Sequence, residues 1–349
     1  MPPEPATRAG RPDPAGHAAA AGAAAKVRIP VLSDEVCARL VSRQDAFEAV
    51  EAVFAAAAAG AARNFPVVRE AIGHGDALYG FKSGFDRSRH VLGVKSGGYW
   101  PGNSDRGLAR HQSTVFLFDA DTGQLKALVA GNHLTAIRTG AASAVSIAQL
   151  ARRDASVLGI VGAGHQAPFQ LRAAAEQRDF ERVVAWSPHR RALPELAKIA
   201  EEAGLPFEAV GAEELAALAD VIITITSSFA PLLKADWIRP GMHLACMGTD
   251  TRGKQEVEPA LLAAASAFTD EVAQSVSIGE AQHAFAAGTI AESAITPLGA
   301  VIDGTHPGRT SDAEITLFDG TGVGLQDLAV ADLALRRSAR QGGIAFVDL

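Results

Sequence analysis

Cysteine is scarce in this sequence, because its 349 residues include only Cys37 and Cys246. Two thiols cannot form a disulfide framework or a four-cysteine zinc site, and they suit a reducing cytoplasm. The ten histidines show no metal-ligand spacing such as His-Glu-x-x-His. We therefore expect a cytoplasmic protein with no bound metal.

Long apolar runs and an excess of positive charge are also lacking. No run approaches the roughly 18 apolar residues that are needed to cross a bilayer. The formal net charge is −7, whereas a nucleic-acid-binding protein usually carries a basic face. A Gly-x-Ser-x-Gly elbow is missing as well, which argues against a serine hydrolase. We expect neither a membrane segment nor a nucleic-acid partner.

Large apolar residues are almost absent from residues 1–26, which are rich in Ala, Pro and Gly. Such a segment cannot bury enough surface to offset its ordering entropy, so we expect a flexible tail. Pro, Gly and His interrupt any apolar core of a secretory signal there. Beyond the tail, the length suffices for two domains, and 48% hydrophobic residues suffice for their cores.

Strands alternate with helices in the second half of the chain, which predicts an α/β fold with a parallel sheet. The strand-like runs are 155–161, 182–186, 220–226 and 243–247, and 168–178 is compatible with a helix. We expect a Rossmann-type, doubly wound dinucleotide-binding domain over residues 143–314.

The flanking segments, 27–142 and 315–349, predict a second domain of the α+β class. Its expected elements are a strand at 27–32, a helix at 45–59 ending at Gly60, a hairpin of 113–119 with 125–130, and a helix at 326–340. An Ala-rich helix at 135–150 would bridge the two domains.

A dinucleotide-binding motif lies between a predicted strand and a predicted helix. Gly162-x-Gly164-x-x-Ala167 fits the pattern G-x-G-x-x-G/A. Gly162 permits the tight turn, Gly164 admits a pyrophosphate to the backbone, and Ala167 allows close packing of helix on strand. The helix N-terminus then stabilises the phosphate charge.

The end of the next predicted strand leaves the choice of cofactor open. NAD is usually held there by a carboxylate on its ribose hydroxyls, but Ser187 occupies this position, followed by Arg190 and Arg191. The residues therefore permit either NAD or NADP.

A partial match to a phosphate-binding P-loop occurs at Gly248–Lys254. Gln255 stands where the magnesium-binding Ser or Thr belongs, so we do not expect ATP binding.

Several motifs together resemble the ornithine cyclodeaminase/mu-crystallin family. The stretches that carry this resemblance are Leu134–Ser143 (LTAIRTGAAS), Gly162–Gln166 (GAGHQ), Gly248–Glu256 (GTDTRGKQE) and Leu317–Asp327 (LFDGTGVGLQD). Further stretches resemble members of the family that act on a dicarboxylic imine: Asn64–His74, Ala77–Lys82, Gly97–Pro101 and Phe268–Glu280. The resemblance covers about residues 30–345.

The resemblance implies an NAD(P)-dependent oxidoreductase that acts on a C=N bond and forms a homodimer. The expected reaction is hydride transfer to iminosuccinate, giving L-aspartate, with NADH as the cofactor. Alternatives are an ornithine cyclodeaminase, a reductase of a pyruvate-derived or cyclic imine, and a nucleotide-holding protein without turnover. The segments 27–142 and 315–349 would then form the substrate-binding and dimerisation domain.

The resemblance also implies roles for individual residues. Arg69 and Lys95 match the groups that hold the substrate carboxylate, which suits the forked guanidinium of an arginine. Asp250 matches the catalytic acid/base that supports the proton on the imine nitrogen, and Lys95 is counted with it as a catalytic candidate. Lys82 is an additional cation, which we interpret as a site for a second carboxylate. His111, Gln112 and Thr321 are further candidates for the substrate pocket.

The remaining candidates match cofactor contacts of the family, and Arg138 is the expected partner of the pyrophosphate. The full predicted set is Thr114, Arg138, Gly162, Gly164, His165, Gln166, Ser187, Thr226, Met247, Gly248, Asp250 and Gly320.

Overall fold

The computed structural model describes residues 27–340 and 344–349, so the predicted tail lies outside the described residues. From Arg28 to Leu150 the elements in chain order are β1 (Arg28–Leu32), α1 (Asp34–Leu40), α2 (Arg43–Ala58), β2 (Ala62–Asn64), β3 (Val68–Ala71), β4 (Leu78–Asp86), β5 (Val91–Tyr99), β6 (His111–Phe118), β7 (Leu125–Ala130) and α3 (Asn132–Leu150).

The second part of the chain alternates strands with short helices. It contains β8 (Val157–Val161), α4 (Ala167–Ala174), β9 (Arg182–Trp186), α5 (Leu193–Glu202), β10 (Phe207–Ala209), α6 (Ala212–Leu218), β11 (Val221–Thr224), β12 (Phe229–Leu233), β13 (His243–Cys246), β14 (Gln255–Val257), α7 (Pro259–Ala264), β15 (Ser266–Thr269), α8 (Val272–Ile278), α9 (Gln282–Ala286), β16 (Ile295–Pro297), α10 (Leu298–Ile302), β17 (Thr316–Asp319), α11 (Gly324–Ser338) and β18 (Ala345–Asp348). Short 3₁₀ helices cover Pro101–Arg106, Arg190–Ala192, Ala235–Trp237 and Glu292–Ala294.

The predicted Rossmann-type sheet is present. Eight strands pair in the order β10-β9-β8-β11-β13-β17-β15-β16, and every pairing is parallel. The order reverses beside β8, so the loops after β8 and β11 diverge and leave a crevice at the carboxyl edge, where ligands bind in such folds. The predicted fold class is confirmed.

The other sheet is mixed and carries the segments at both ends of the described chain. Its order is β18-β1-β7-β6-β5-β4-β2, with β3 also pairing to β4. All of its pairings are antiparallel except that of β1 with β7. The predicted hairpin is formed by β6 and β7. The helix α3 contacts strands of both sheets and buries most of its length between them.

Several element boundaries differ from those we predicted. The helix α2 begins at Arg43, two residues early, because Ser42 and Asp45 form a capping box that satisfies the first free amides. The helix α4 ends at Ala174 rather than at Arg178. The strand β17 lies in the segment 315–349, which we assigned to the second domain, but it pairs with β13 and β15 of the parallel sheet. The chain therefore returns to the mixed sheet only after Asp319, through α11.

Within residues 27–340 and 344–349, no helix combines the length and the apolarity that crossing a membrane requires. Among the same residues, no group of three or more His, Cys, Asp and Glu side chains is suitably placed for a metal ion.

Candidate functional site

Three predicted substrate residues lie on one face of the mixed sheet. Lys82 of β4 and Lys95 of β5 are directly opposite each other in the strand register. Arg69 of β3 is opposite Gly80, two residues from Lys82, and side chains two residues apart in a strand share a face. The sheet thus presents three cations together on the side against which α11 packs.

Asp250 lies across the crevice, in the loop that follows β13 of the parallel sheet. Its Oδ2 is 3.1 Å from a terminal nitrogen of Arg69, and its Oδ1 is 2.8 Å from Nζ of Lys254. Burial favours the neutral acid, but the charges of Lys254, Arg69 and Lys82 outweigh it and hold the pKa of Asp250 well below its ordinary value. Asp250 is therefore a carboxylate at neutral pH, in direct contact with the predicted substrate arginine.

Lys82 points to the turn between β17 and α11. Its Nζ donates to the carbonyl oxygens of Thr321, at 3.2 Å, and Gly322, at 2.6 Å. The carboxylate of Asp270 holds this turn, since it accepts from the amides of both residues and from the Thr321 hydroxyl. Burial lowers the pKa of Lys82 to about 8, although Asp250 partly opposes this. Thr321 thus meets Lys82 through its carbonyl, and the ammonium retains one N–H.

Lys95 and Arg138 share one buried partner, Asp327 of α11. Nζ of Lys95 is 2.6 Å from Oδ2, and Nε of Arg138 donates to Oδ1 at 2.9 Å. Burial lowers the pKa of Lys95 to about 7, against the effect of Asp327. Burial raises the pKa of Asp327, but Arg138 and Lys95 reverse this and bring it to about 2.

The neighbouring strand β6 divides the remaining pocket candidates between two faces. His111 is opposite Tyr99 and shares a face with Lys95, and burial together with Lys95 and Arg138 lowers its pKa to about 3. It is a neutral group at physiological pH. Gln112 and Thr114 alternate with it and belong to the other face, so the structure does not bring them to Lys95.

The predicted dinucleotide loop forms the turn from β8 to α4. Gly162 has φ +110°, and a Cβ there would lie 2.7 Å from the carbonyl oxygen of Ile225, so glycine is required. Above Gly164 there is open space, and His165 is exposed beside it. Oε1 of Gln166 is buried without a hydrogen-bond partner among the described residues. The loop thus offers both room and an unused polar group to a ligand.

Other predicted cofactor residues converge on the same edge from neighbouring strands. Ser187 follows β9, is nearly buried, and accepts from the amide of His189. Gly248 follows β13, and a Cβ there would meet the carbonyl oxygen of Thr226 at 2.4 Å. Gly320 follows β17, and a Cβ there would meet the sulfur of Met247 at 2.5 Å. The loops after four parallel strands therefore pack closely at one end of the sheet.

Two buried carboxylates support the loop that carries Asp250. Glu256 accepts from the amides of Thr226, at 2.6 Å, and Gly248, at 2.8 Å, which ties together the ends of β11 and β13. Glu280 accepts from the amide of Glu256 at 2.8 Å and contacts the hydroxyl of Thr249. Burial raises the pKa of both acids, and the charge of Glu256 helps to bring that of Glu280 to about 8.

Sequence reasoning missed the residues that hold the predicted ones in place: Lys254, Asp270, Glu256, Glu280, Gln326 and Asp327. Lys254 appeared only within the P-loop match and the family stretch Gly248–Glu256, and it was given no role. The structure places a strand, β14, directly after it, whereas a P-loop leads into a helix. Lys254 comes four residues after Asp250, and this spacing of opposite charges was the one sequence feature that could have indicated the ion pair.

Comparison with known proteins identifies relatives over nearly the whole described chain. A model of the ornithine cyclodeaminase/mu-crystallin family matches residues 30–342. An iminosuccinate reductase of Paracoccus denitrificans (strain Pd 1222) is 60% identical over 319 residues, which are 91% of this chain and 99% of that protein.

Solved structures agree with this match. The iminosuccinate reductase of Paracoccus denitrificans in complex with NAD+ superimposes with a TM-score of 0.88 at 58% identity, covering 93% of this chain and 100% of that one. An archaeal alanine dehydrogenase dimer with bound NAD superimposes with a TM-score of 0.85 at 33% identity, covering 91% of this chain and 99% of that one.

The buried acid Glu280 predicts a pH-dependent contribution to stability. Its pKa of about 8 lies above the ordinary value of 4.5, so its stabilising contribution is complete below about pH 4.5 and is lost as the pH rises through 8. Glu280→Gln cannot ionise at this position. From pH 5 to pH 8 we expect its free energy of unfolding to rise by roughly 3 kcal/mol relative to that of the wild type. Urea unfolding at both pH values measures this difference.

Glu258→Gln is the matched control, since Glu258 is a half-buried neighbour that accepts the amide of Ala235. Burial also raises the pKa of Asp319 to about 7. We expect its contribution to the pH dependence of stability to be the same in the wild type and in the variant. A constant difference between wild type and Glu280→Gln across this range would show that Glu280 is already ionised at pH 5.

Proposed function

The chain belongs to the ornithine cyclodeaminase/mu-crystallin family, and on this premise we propose that it reduces iminosuccinate to L-aspartate with NADH. The 60% identity to an iminosuccinate reductase supports the proposal. The observation that carries it is the grouping of Arg69, Lys82 and Lys95 on one sheet face opposite Asp250.

The contact between Arg69 and Asp250 suits an α-imino acid. In such a substrate the imine carbon is bonded directly to a carboxylate, so the groups that bind each of them must be adjacent. Arg69 and Asp250 are 3.1 Å apart, and Nε of Arg69 is buried without a partner among the described residues. The guanidinium can therefore take the substrate carboxylate beside the group that faces the imine nitrogen.

Lys82 supplies the feature that favours a second carboxylate. It lies on the same face as Arg69 and directly opposite Lys95, so the site holds more cations than a monocarboxylate requires. Ornithine, in contrast, would bring a second positive charge towards Lys82. The electrostatics thus favour a dicarboxylic imine over the substrate of a cyclodeaminase.

The residues at the carboxyl edge of the parallel sheet fit a dinucleotide. The open space above Gly164 and the unused oxygen of Gln166 lie at the N-terminus of α4, where the backbone favours a phosphate. Gly162, Ser187 and Gly248 would line the rest of the cofactor, with Arg138 towards its charged part. We assign NAD, which the related reductase binds in its crystal structure. When bound, the reduced nicotinamide supplies the hydride.

Asp250 stabilises the protonated imine. Its depressed pKa makes it a hydrogen-bond acceptor, so it favours the positively charged iminium form, which is the better hydride acceptor. Lys254 keeps the carboxylate oriented through a 2.8 Å contact. Lys95 and Lys82 meanwhile neutralise the substrate carboxylates. The cytoplasm suits this activity, and both cysteines within the described residues are free and buried.

Turnover by the purified protein tests the proposed function. Oxaloacetate with ammonium forms iminosuccinate in solution, and we expect this mixture to oxidise NADH and to yield L-aspartate. Pyruvate with ammonium, a cyclic ketimine and ornithine serve as parallel substrates, and NADPH as a parallel cofactor. Activity confined to the cyclic ketimine, or ammonia release from ornithine without net NADH change, would refute the substrate assignment.

The selectivity for a dicarboxylate should depend on Lys82. We expect Lys82→Met to lower kcat/KM for iminosuccinate by about 10- to 100-fold, the usual loss for one charge-assisted hydrogen bond. Activity with the pyruvate-derived imine should fall less, since that imine has no second carboxylate and shares only the loss of the Lys82 contacts with the turn and with Asp250. Lys126→Met, on the exposed side of the same sheet, is the control. An unchanged ratio between the two substrates would refute the role of Lys82.

We also propose that the protein is a homodimer, formed through the outer face of the mixed sheet. Val68 and Phe81 are paired on that face and are 46% and 40% exposed, and Tyr79 packs edge-on against Phe81. A contiguous apolar patch of this kind usually marks an interface. The related archaeal alanine dehydrogenase is a dimer with bound NAD.

A charge on this face should separate the subunits. We expect Phe81→Asp to shift the protein from dimer to monomer in sedimentation equilibrium, because an unpaired carboxylate would be buried at the interface. Phe285→Asp, an equally exposed phenylalanine on α9, should leave the mass unchanged. A wild-type protein of monomeric mass at micromolar concentration would contradict the proposed dimer.

A further inference from the structure

Asp327 occupies an unusual place, because it contacts one residue of each ligand site. One of its oxygens faces Lys95, the proposed substrate lysine, and the other accepts from Arg138, the proposed cofactor arginine. Its side chain is 1% exposed. The carboxylate itself is therefore shielded from solvent and from either ligand.

Both cations keep donors free after meeting Asp327. Nζ of Lys95 lies 2.6 Å from Oδ2 of Asp327 as an ion pair and donates at 3.4 Å to the hydroxyl of Thr135, so at least one N–H remains. Arg138 uses Nε on Asp327 and one terminal nitrogen on Oε1 of Gln326, at 2.9 Å, so three of its five N–H groups remain. Each cation is fixed on one side and available on the other.

The helix that carries Asp327 connects the two sheets. α11 begins directly after the turn at Gly322, packs on β4 and β5, and contacts α3, from which Arg138 projects. Asp327 lies in the first turn of α11, where the helix dipole favours a negative charge. A displacement of this turn would therefore alter the contacts of both cations at once.

We propose that Asp327 is a positioning residue that couples the substrate and cofactor sites, by keeping Lys95 charged and by orienting Arg138 towards the dinucleotide. This proposal rests on the proposed function for the identity of the two ligands. Asp327 touches neither ligand and acts only through the two cations.

The charges around Lys95 explain why it needs this partner. Lys82 faces it from β4, Arg138 from α3 and neutral His111 from β6, while Asp327 alone among these neighbours is an anion. Burial has already brought the pKa of Lys95 to about 7. Loss of the carboxylate would lower it further, so Lys95 would be neutral at the pH where the enzyme works. Arg138 would keep its charge but lose its orientation.

The two effects can be separated by measuring binding rather than turnover. We use NADH and succinate, a dicarboxylate that cannot be reduced, as probes of the Asp327→Asn variant in calorimetry from pH 6 to pH 9. We expect NADH to bind about tenfold more weakly at every pH, because an arginine does not titrate in this range. The loss of succinate affinity should grow from about twofold at pH 6 to about ninefold at pH 8, with the decline beginning about one pH unit earlier than in the wild type.

Asp332→Asn is the matched control, because Asp332 is a second nearly buried aspartate of α11 and pairs with Arg336 away from the site. It should leave both affinities and the pH profile unchanged. Asp327→Glu keeps the charge but displaces it by one methylene. It should weaken both ligands several-fold without moving the pH profile, and this variant decides the matter if Asp327→Asn does not fold.

Unchanged binding of either ligand to a folded Asp327 variant would overturn the coupling role. An equal loss of succinate affinity at all pH values would overturn the proposal that Asp327 maintains the charge of Lys95. Neither readout needs turnover, so a wild type that binds NADH and succinate but reduces no iminosuccinate would refute the proposed function while the role of Asp327 is still tested.

Discussion

Two lysines face each other directly across adjacent antiparallel strands, and the rest of the site offsets their repulsion. Like charges in such a cross-strand pair destabilise a sheet. Lys82 and Lys95 are also largely removed from water, which lowers the pKa of each to about 8 and 7. Carboxylates partly compensate them, since Asp250 favours the charged form of Lys82 and Asp327 that of Lys95. The arrangement therefore leaves both lysines only partly neutralised, as a site for the proposed anionic substrate requires.

The compensating carboxylates come from distant parts of the chain. Asp250 follows a strand of the parallel sheet, and Asp327 lies on the helix that returns from this sheet to the mixed one. The site therefore has its charge balance only when the two sheets are assembled around α3 and α11. The same assembly brings the carboxyl edge of the parallel sheet to the face of the mixed sheet that carries Arg69, Lys82 and Lys95. The contacts that balance these charges therefore also set the two proposed ligand sites beside each other.

Local patterns were sufficient to predict the parallel sheet, the β6–β7 hairpin and the loop at Gly162, because each depends on neighbouring residues. The roles of Arg69 and Asp250 came from a family resemblance, and the structure places the two in contact. The register between strands depends on pairing between separate segments, so local patterns could not predict it. In the structure this register places Gln112 and Thr114 on the face opposite to that of Lys95. Asp327 ends a stretch that carries the family resemblance, but its role was missed because its partners, Lys95 and Arg138, are far away in sequence.

The ion pair of Arg69 with Asp250 constrains the order of events at the site. This pair joins the two sides of the crevice, so in the proposed reaction a substrate carboxylate would compete with Asp250 for the guanidinium. Nε of Arg69 is buried without a partner among the described residues, so a rotation of the guanidinium could present it to that carboxylate. If Arg69 turned to the substrate in the proposed reaction, Asp250 would lose one of its cations but keep Lys254. Its pKa would then be less depressed, and its attraction for a positively charged nitrogen would increase because one competing cation would have left. In the proposed reaction, binding of the carboxylate would thus prepare Asp250 for the imine nitrogen of the same substrate.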